Sequence, residues 1–263
     1  MIEFKNVFKN FGDAPVLAGL NLTIEDGLTT AIIGGSGCGK SVTLKHVIGL
    51  LKPDRGAVFV DGLEIARLSY QALVQVRKKI GMVFQGSALF DSMTIGENLA
   101  MGLKRHFQFK ERDIRAKVAE ALAMVGLAGV EPKFPSELSG GMKKRAAIAR
   151  ALVMKPEVLL YDEPTTGLDP PRADSINQLI FDLNKQLGVT SVVVTHDMHS
   201  VYRVAHKVAM LESGVIRFFG TPQELARCTE PAVEKFLESA RGHEWLDRDK
   251  SNQAGAVHAT LDQ

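Results

Sequence analysis

The stretch Gly34–Ser41, GGSGCGKS, places four glycines and one lysine between the apolar run Leu28–Ile33 and a segment with helical periodicity. A tight turn needs fewer glycines, whereas the spacing GxxxxGK[ST] suits a loop whose backbone N–H groups surround a phosphate chain at a helix N-terminus. Lys40 is then predicted to reach the β- and γ-phosphates, and the Ser41 hydroxyl to bind Mg²⁺. The residues predicted to contact a nucleotide here are Gly34, Gly35, Ser36, Gly37, Cys38, Gly39, Lys40, Ser41 and Val42.

Two adjacent acids follow the apolar run Val158–Tyr161. A strand at this run brings Asp162 to the C-terminal edge of a sheet, beside the phosphate loop, where it can hold Mg²⁺ through water. Glu163 is then placed to orient or deprotonate an attacking water. Two acids after a strand can also be a solvated strand end, and the glycine loop is what favours catalysis.

A second glycine-containing helix start lies at Glu137–Met142, ELSGGM. Ser139 is a residue type that caps helix N-termini, and Gly140 and Gly141 leave backbone amides exposed. The pattern predicts a second anion site, on a part of the chain away from Lys40. An ordinary capped helix is the alternative interpretation.

Short apolar strands and helices alternate along the chain and must position these motifs. Unbroken apolar runs such as VLLY and SVVVT predict a parallel sheet covered on both faces. The predicted strands are Ile2–Phe8, Leu20–Glu25, Leu28–Ile33, Ala57–Val60, Ile80–Phe84, Val158–Tyr161, Thr190–Thr195 and Val208–Leu211. Helices are predicted from the glycine loop to about Leu50, and over Lys110–Val125, Gly141–Val153, Pro171–Leu187 and Met198–Ala205. The fold class is therefore α/β with a helical insertion.

Composition and charge bear on the partners of the chain and on its cellular setting. The 263 residues carry a formal net charge of +2, so bulk electrostatics do not favour nucleic acid as the main partner. Two cysteines, Cys38 and Cys228, are far apart and match no metal-site spacing, which fits a reduced, cytosolic setting. No apolar run reaches the roughly 18 residues that span a bilayer, and the start MIEFKNVFKN alternates like a strand rather than a targeting peptide.

The motif LSGGM closely resembles the LSGGQ signature of ABC (ATP-binding cassette) ATPases. Four further matches follow in family order. Phe11 resembles the aromatic residue that stacks on adenine, Gln85 the Q-loop residue that contacts Mg²⁺, Thr166–Asp169 the D-loop, and His196 the switch histidine that touches the γ-phosphate. Met142 departs from the family's glutamine and puts any contact of that amide in doubt. The resemblance covers about residues 1–225.

The resemblance implies a P-loop, RecA-like core with an antiparallel β edge and an inserted helical subdomain. It implies an ATPase domain over residues 1–240, with the core at about 1–85 and 154–225, the helical subdomain at about 86–153, and a C-terminal extension over 226–263. It also implies two ATP molecules held between two copies of the chain, with Ser139, Gly140 and Gly141 of one copy closing over the γ-phosphate held by the other.

LSGGM, the segment GSALFDSMTIGEN after Gln85 and the C-terminal PAVEKFLESARG together resemble the MlaF-type ATPases of bacterial Mla and Mce-associated lipid transporters. That resemblance implies phospholipid transport at the cytoplasmic side of the inner membrane. The implied partners are a second copy, an MlaE-type permease, an MlaD-type lipid-binding MCE protein and, in some systems, an MlaB-type STAS-domain protein. It further implies that the C-terminal segment reaches across to the second copy.

In the implied mechanism Mg²⁺ is held by Ser41, Gln85 and Asp162, Glu163 is the base and His196 senses the γ-phosphate. Three alternatives stay open: an ABC ATPase acting on DNA or ribosomes, a regulatory module without turnover, and a transporter for amino acids, metals or peptides. The first usually has a coiled coil or two cassettes in one chain, and neither is present. The second lacks Glu163 or His196, and both are present.

Overall fold

The computed structural model describes residues 1–241. In that range the strands are β1 (Ile2–Phe11), β2 (Ala14–Ile24), β3 (Thr29–Ile33), β4 (Arg55–Val60), β5 (Leu63–Glu64), β6 (Ile80–Val83), β7 (Val158–Asp162), β8 (Thr190–Val194), β9 (Lys207–Glu212) and β10 (Val215–Gly220). The α-helices are α1 (Lys40–Val47), α2 (Tyr70–Lys78), α3 (Ile95–His106), α4 (Glu111–Met124), α5 (Gly140–Leu152), α6 (Pro170–Leu187), α7 (Met198–Val204), α8 (Pro222–Ala226) and α9 (Pro231–Arg241).

The larger sheet has the strand order β10-β9-β3-β8-β7-β6, and its strands are parallel except for the edge strand β10. Every residue of β3, β7 and β8 is buried, as the apolar runs predicted for a sheet covered on both faces. Because these three strands are neighbours and parallel, the segments that follow them meet at one edge. The glycine loop follows β3, Glu163 follows β7 and His196 follows β8.

A second sheet, with the order β2-β1-β4-β5, is antiparallel and forms the expected antiparallel part of the fold. Its strands β1 and β2 are longer than predicted, since β1 continues to Phe11 and β2 begins at Ala14. The added residues are mostly exposed, so they carry no alternating pattern, and backbone pairing of Phe11 with Ala14 extends the hairpin. Helix α1 ends at Val47 rather than about Leu50, because Gly49 has a left-handed φ of 63°.

Residues 86–153 contain α3, α4 and α5 and no strand, as predicted for the helical insertion. Helix α3 was not predicted individually, although Thr94 and Glu97 form a capping box at its start. The apolar side chains of this insertion belong to the same buried cluster as Leu159, Tyr161 and Ile180 of β7 and α6. The insertion and the parallel sheet therefore share a hydrophobic core.

The C-terminal part of the described chain packs on the sheet. Helix α8 follows the capping residue Thr221, and the amphipathic segment Pro231–Ala240 lies in α9. Val233 and Leu237 of α9 are buried with residues of β3 and β9. The remainder of the expected C-terminal extension, residues 242–263, lies outside the described residues. No helix within residues 1–241 combines the length and the apolar character that a membrane span requires.

Candidate functional site

The glycine loop has two glycines whose hydrogen is required by close packing. At Gly34, with φ 148°, an added Cβ would lie 2.2 Å from the carbonyl oxygen of Leu211. At Gly39, with φ 107°, a Cβ would lie 3.0 to 3.1 Å from atoms of Val16 and Leu17 on β2. These two positions anchor the loop between β9 and β2 and fix its path.

Two other glycines of the loop face open space. A Cβ at Gly35 or Gly37 would meet no atom within 4 Å, and both residues and Ser36 are exposed. Helix α1 begins directly after Gly39 with no side-chain cap and no acid in its first turn. Its first backbone N–H groups are therefore left for an external acceptor, which is the arrangement that binds phosphate.

Lys40 is a buried cation held over the loop. Its side chain is 8% exposed, and its ammonium donates to the carbonyl oxygens of Gly34 and Gly35, each at 2.9 Å. Within residues 1–241 it forms no ion pair. A buried ammonium bonded to neutral carbonyls leaves positive charge available to an anionic ligand.

Ser41 and Asp162 meet across the sheet edge. The Ser41 hydroxyl donates to Asp162 Oδ1 at 2.7 Å, although the two residues are 121 positions apart in sequence. Asp162 is the last residue of β7 and is 7% exposed. A hydroxyl and a carboxylate at this distance are oxygen donors of the kind that Mg²⁺ selects. The structure thus brings together two of the three predicted metal ligands.

Glu163 has a left-handed backbone, with φ 49°, directly after β7. Such strain in a non-glycine residue persists where surrounding contacts enforce it, and here Glu163 N donates to Val194 O of β8. One carboxylate oxygen lies 3.0 Å from His196 Nδ1, and the other accepts from the Thr166 hydroxyl at 3.0 Å. The acid is 9% exposed, whereas the side chain of His196 is 64% exposed.

Gln85 lies two residues beyond the end of β6, the neighbour of β7. Its side chain is exposed, and its backbone carbonyl accepts a hydrogen bond from Lys144. Lys144 also donates to Glu163 O at 3.4 Å, so Gln85 and Glu163 lie on either side of one ammonium group. Sequence reasoning missed Lys144. The signal was present, because Lys144 is a lysine on the otherwise apolar buried face of α5.

Phe11 lies at the tip of the β1–β2 hairpin and is 48% exposed. The second strand of this hairpin contacts Gly39 through Val16 and Leu17, so the hairpin borders the glycine loop. The Lys9 ammonium lies 5.7 Å from the Phe11 ring centroid. An exposed aromatic ring at the rim of the loop has a free face for stacking.

Cys38 and Val42 differ from the other loop residues because their side chains pack against the hydrophobic core. Burial raises the pKa of the Cys38 thiol, and the charge of Lys40 opposes that shift. A thiol with a raised pKa is a poor nucleophile, so Cys38 contributes to the loop as a small packing side chain. Any contact of Val42 with a nucleotide must use its backbone.

The motif Ser139–Gly141 lies at the start of α5, and Ser139 caps the helix by accepting from Met142 N at 3.4 Å. Ser139 and Gly140 are exposed. An added Cβ at Gly140 would meet Leu168 at 3.6 Å and one at Gly141 would meet Arg172 at 3.8 Å, both ordinary contacts. The fold of this chain therefore does not require these two glycines. No hydrogen bond within residues 1–241 joins this motif to the glycine loop.

We expect Gly34→Ala to destabilise the nucleotide-free protein by about 2 to 4 kcal/mol, because the methyl group would overlap the Leu211 carbonyl at an already strained backbone angle. Chemical denaturation of the full chain measures this change. Gly35→Ala is the matched control, since no atom lies within 4 Å of its added Cβ. Equal stabilities of the two variants would contradict the described path of the loop.

A sequence model described as ABC transporter matches residues 17–166 of the chain. The chain is 43% identical over 240 residues to the "Probable ribonucleotide transport ATP-binding protein mkl" of Mycobacterium tuberculosis strain H37Rv, an alignment that covers 91% of this chain and 67% of the relative. It is 42% identical over 241 residues to the "Fe(3+) ions import ATP-binding protein FbpC" of Escherichia coli K12, covering 92% of this chain and 67% of the relative.

Solved structures of ABC proteins are also similar to this chain, in fold as well as in sequence. The cassette MJ0796, solved as a dimer in a post-hydrolysis state bound to ADP and Pi, has a TM-score of 0.77 and 34% identity, covering 84% of this chain and 99% of that one. The cbiO1 structure from Clostridium perfringens, part of the ABC transporter complex cbiONQ, has a TM-score of 0.80 and 32% identity, covering 96% and 98%.

The chain belongs to the ABC transporter family. The predicted fold class is confirmed, since these neighbours are ABC cassettes with the same α/β architecture. Within the family the chain is an ATP-binding subunit, and its domain is an ATPase.

Proposed function

We propose that this ATPase powers phospholipid transport between the inner and outer membranes of a bacterium, as an MlaF-type subunit. Support for the ATPase mechanism rests on one observation: the Ser41–Asp162 pair and the Glu163–His196 pair lie at the same sheet edge as the glycine loop. Support for the lipid cargo comes from the motif LSGGM, the segment after Gln85 and the C-terminal PAVEKFLESARG.

In the proposed binding mode the exposed amides of the glycine loop and the N-terminus of α1 hold the ATP phosphates. Lys40 exchanges a carbonyl partner for β- and γ-phosphate oxygens, because a charged acceptor gives the stronger hydrogen bond. Adenine stacks on the exposed face of Phe11 at the rim of the loop.

The donor set at the sheet edge fits Mg²⁺. Ser41 would bind it through its hydroxyl and Gln85 through its side-chain oxygen, while Asp162 would hold it through water. When bound, Mg²⁺ neutralises charge on the phosphates and orients them. Ser41 and Asp162 are preorganised for this role, since they already share a hydrogen bond.

Glu163 is the proposed general base. It takes a proton from the water that attacks the γ-phosphorus while the bond from the γ-phosphorus to the β–γ bridging oxygen breaks. His196 and Thr166 contact its two carboxylate oxygens and hold the side chain in place. His196, whose side chain is mostly exposed, is then free to turn toward the γ-phosphate.

A second copy of the chain completes each site in this proposal. Ser139 and Gly140 are exposed, and neither Gly140 nor Gly141 is required by the packing of its own chain. Contact with the nucleotide of a second copy would explain the two glycines, because they let its γ-phosphate approach the backbone amides of α5.

The membrane partner is proposed to dock beside Gln85. Phe90, five residues further along, is 51% exposed and offers an apolar contact for a permease segment. The proposed assembly has two copies of this chain, an MlaE-type permease, an MlaD-type MCE protein and, in some systems, an MlaB-type STAS protein. The chain would then be peripheral, on the cytoplasmic side of the inner membrane.

Transport of another solute by the same ATPase mechanism is the second candidate. The names of the relatives favour it, because they describe ribonucleotide transport and Fe(3+) import at 43% and 42% identity. An ABC ATPase acting on nucleic acid is disfavoured by the net charge of +2.

Purification of the chain from native membranes with its bound partners separates these cargo classes. The lipid proposal expects a co-purified permease and MCE protein, bound phospholipid, and ATP turnover that changes when phospholipid vesicles are supplied. A complex that contains a solute-binding protein instead, and whose turnover responds to ferric iron or a ribonucleotide, would overturn the lipid proposal and leave the ATPase assignment intact.

A further inference from the structure

Lys144 is a buried lysine between two functional segments. It is 6% exposed, and its ammonium donates to the backbone carbonyls of Gln85 and Glu163. Burial lowers the pKa of Lys144, while the nearby carboxylates of Glu163 and Asp162 raise it. Lys144 therefore places a positive charge behind the acids of the site without forming an ion pair with them in residues 1–241.

A second cation of the same helix holds the segment that follows Gln85. Arg150 donates to the carbonyls of Ser87 and Ala88, two non-glycine residues with left-handed φ angles of 63° and 50°. Left-handed backbone at such residues persists where contacts enforce it. Side chains of helix α5 thus donate hydrogen bonds to three backbone carbonyls between positions 85 and 88.

The same helix begins with the signature motif. Lys144 lies four residues after Gly140, about one helical turn further along α5. Gly140 faces the exterior, where the partner's nucleotide would bind, and Lys144 faces Gln85 and Glu163 of its own chain. One rigid turn of helix therefore lies between the two half-sites.

We propose that Lys144 is a positioning residue that couples these half-sites. When a partner's nucleotide draws the signature motif toward it, the ammonium of Lys144 moves with α5 and shifts the backbone of Gln85 and Glu163. Closure of the signature motif over the partner's nucleotide thereby aligns Glu163 in the chain's own site. The inference rests on the proposed arrangement in which two copies share each ATP.

A side chain that holds the carbonyls of Gln85 and Glu163 at the same time must carry several hydrogen-bond donors. A lysine ammonium has three N–H donors, enough to hold two carbonyls at once, whereas methionine of similar length has none. The guanidinium of arginine has five donors and keeps the positive charge. Lys144→Arg is therefore the conservative variant, and Lys144→Met removes both the hydrogen bonds and the charge.

The experiment compares Lys144→Met, Lys144→Gln and Lys144→Arg in the full chain with Lys143→Met. Lys143 is the neighbouring lysine on α5 and makes no side-chain hydrogen bond or ion pair within residues 1–241, so it is a matched control. The readouts are kcat, the Hill coefficient for ATP, the thermal midpoint, and ATP affinity measured separately in a Glu163→Gln background.

We expect Lys144→Met to lower kcat by about 10- to 100-fold, the cost of a misaligned catalytic group. Its Hill coefficient should fall toward unity, and ATP affinity of the single chain should stay within about twofold, because Lys40 and the loop are untouched. Lys144→Arg should restore most of the cooperativity, and Lys143→Met should behave as the unaltered protein. Lys144→Gln replaces the Met variant if the latter does not fold.

Unchanged kcat and Hill coefficient in both neutral variants would overturn the coupling role. A loss of kcat that follows the thermal midpoint and is not restored by arginine would also overturn it, since a purely structural residue behaves in that way. Failure of the proposed function is distinguishable, because the unaltered protein would then show neither cooperative ATP turnover nor ATP-dependent pairing of copies.

Discussion

Glu163→Gln is expected to lower ATP turnover by about 100- to 10,000-fold while ATP still binds, because the amide cannot accept the proton of the attacking water. The substitution keeps the size and shape of the side chain. Its oxygen and amino group can still contact the Thr166 hydroxyl and His196, so the sheet edge should keep its geometry. Loss of chemistry without loss of binding is the expected result.

Phosphate release at saturating ATP measures the turnover, and equilibrium binding of a fluorescent ATP analogue measures the affinity. Glu157→Gln is the matched control, because Glu157 precedes β7 as Glu163 follows it, and its side chain is 60% exposed at the opposite edge of the sheet. The control should retain turnover within about twofold. Full turnover in Glu163→Gln would show that another group is the base.

The sheet edge was predictable because strands β3, β7 and β8 are buried throughout and have apolar runs that end directly before the site residues. Parallel pairing then brings the segments after these strands together without further information. The pairing of Ser41 with Asp162 follows from that geometry. At this edge of the sheet, the apolar runs locate the strands, and the parallel pairing of the strands then places the site residues together.

Other elements could not be predicted with the same reasoning. Strand β10 is an edge strand with mixed burial, and α2 buries only Val76, so neither has a strong periodic pattern. The contacts of Lys144 join residues 59 and 19 positions apart, and no local pattern encodes them. Ser139 and Gly140 are proposed to contact a second copy of the chain. The packing within one copy therefore gives no indication of that role.

Gly140→Ala is expected to separate the stability of one copy from the pairing of two. An added Cβ meets only Leu168 at 3.6 Å, an ordinary contact, and the backbone of Gly140 has no left-handed φ, so the single chain should keep its stability. In the proposed pair the same methyl group lies where the partner's γ-phosphate must approach. Turnover should therefore fall by at least about tenfold, with unchanged ATP affinity of the single chain.

Size-exclusion chromatography in a Glu163→Gln background, with and without ATP, measures the pairing directly. Gly102→Ala is the matched control, because Gly102 is also a helix glycine of the insertion and its added Cβ meets only the flexible side chain of Met154. ATP should pair the control and leave the Gly140→Ala protein as single copies. Pairing of the Gly140→Ala protein at the same ATP concentration would contradict a shared site.

A mixture of Gly140→Ala and Lys40→Met chains tests the same arrangement from the other side. Neither chain alone can form an intact site, because one lacks a usable signature motif and the other lacks the phosphate-binding lysine. A mixed pair contains one intact site, made from the glycine loop of the first chain and the signature motif of the second. ATP-dependent pairing confined to the mixture is therefore the expected result, and only a site divided between two chains produces it.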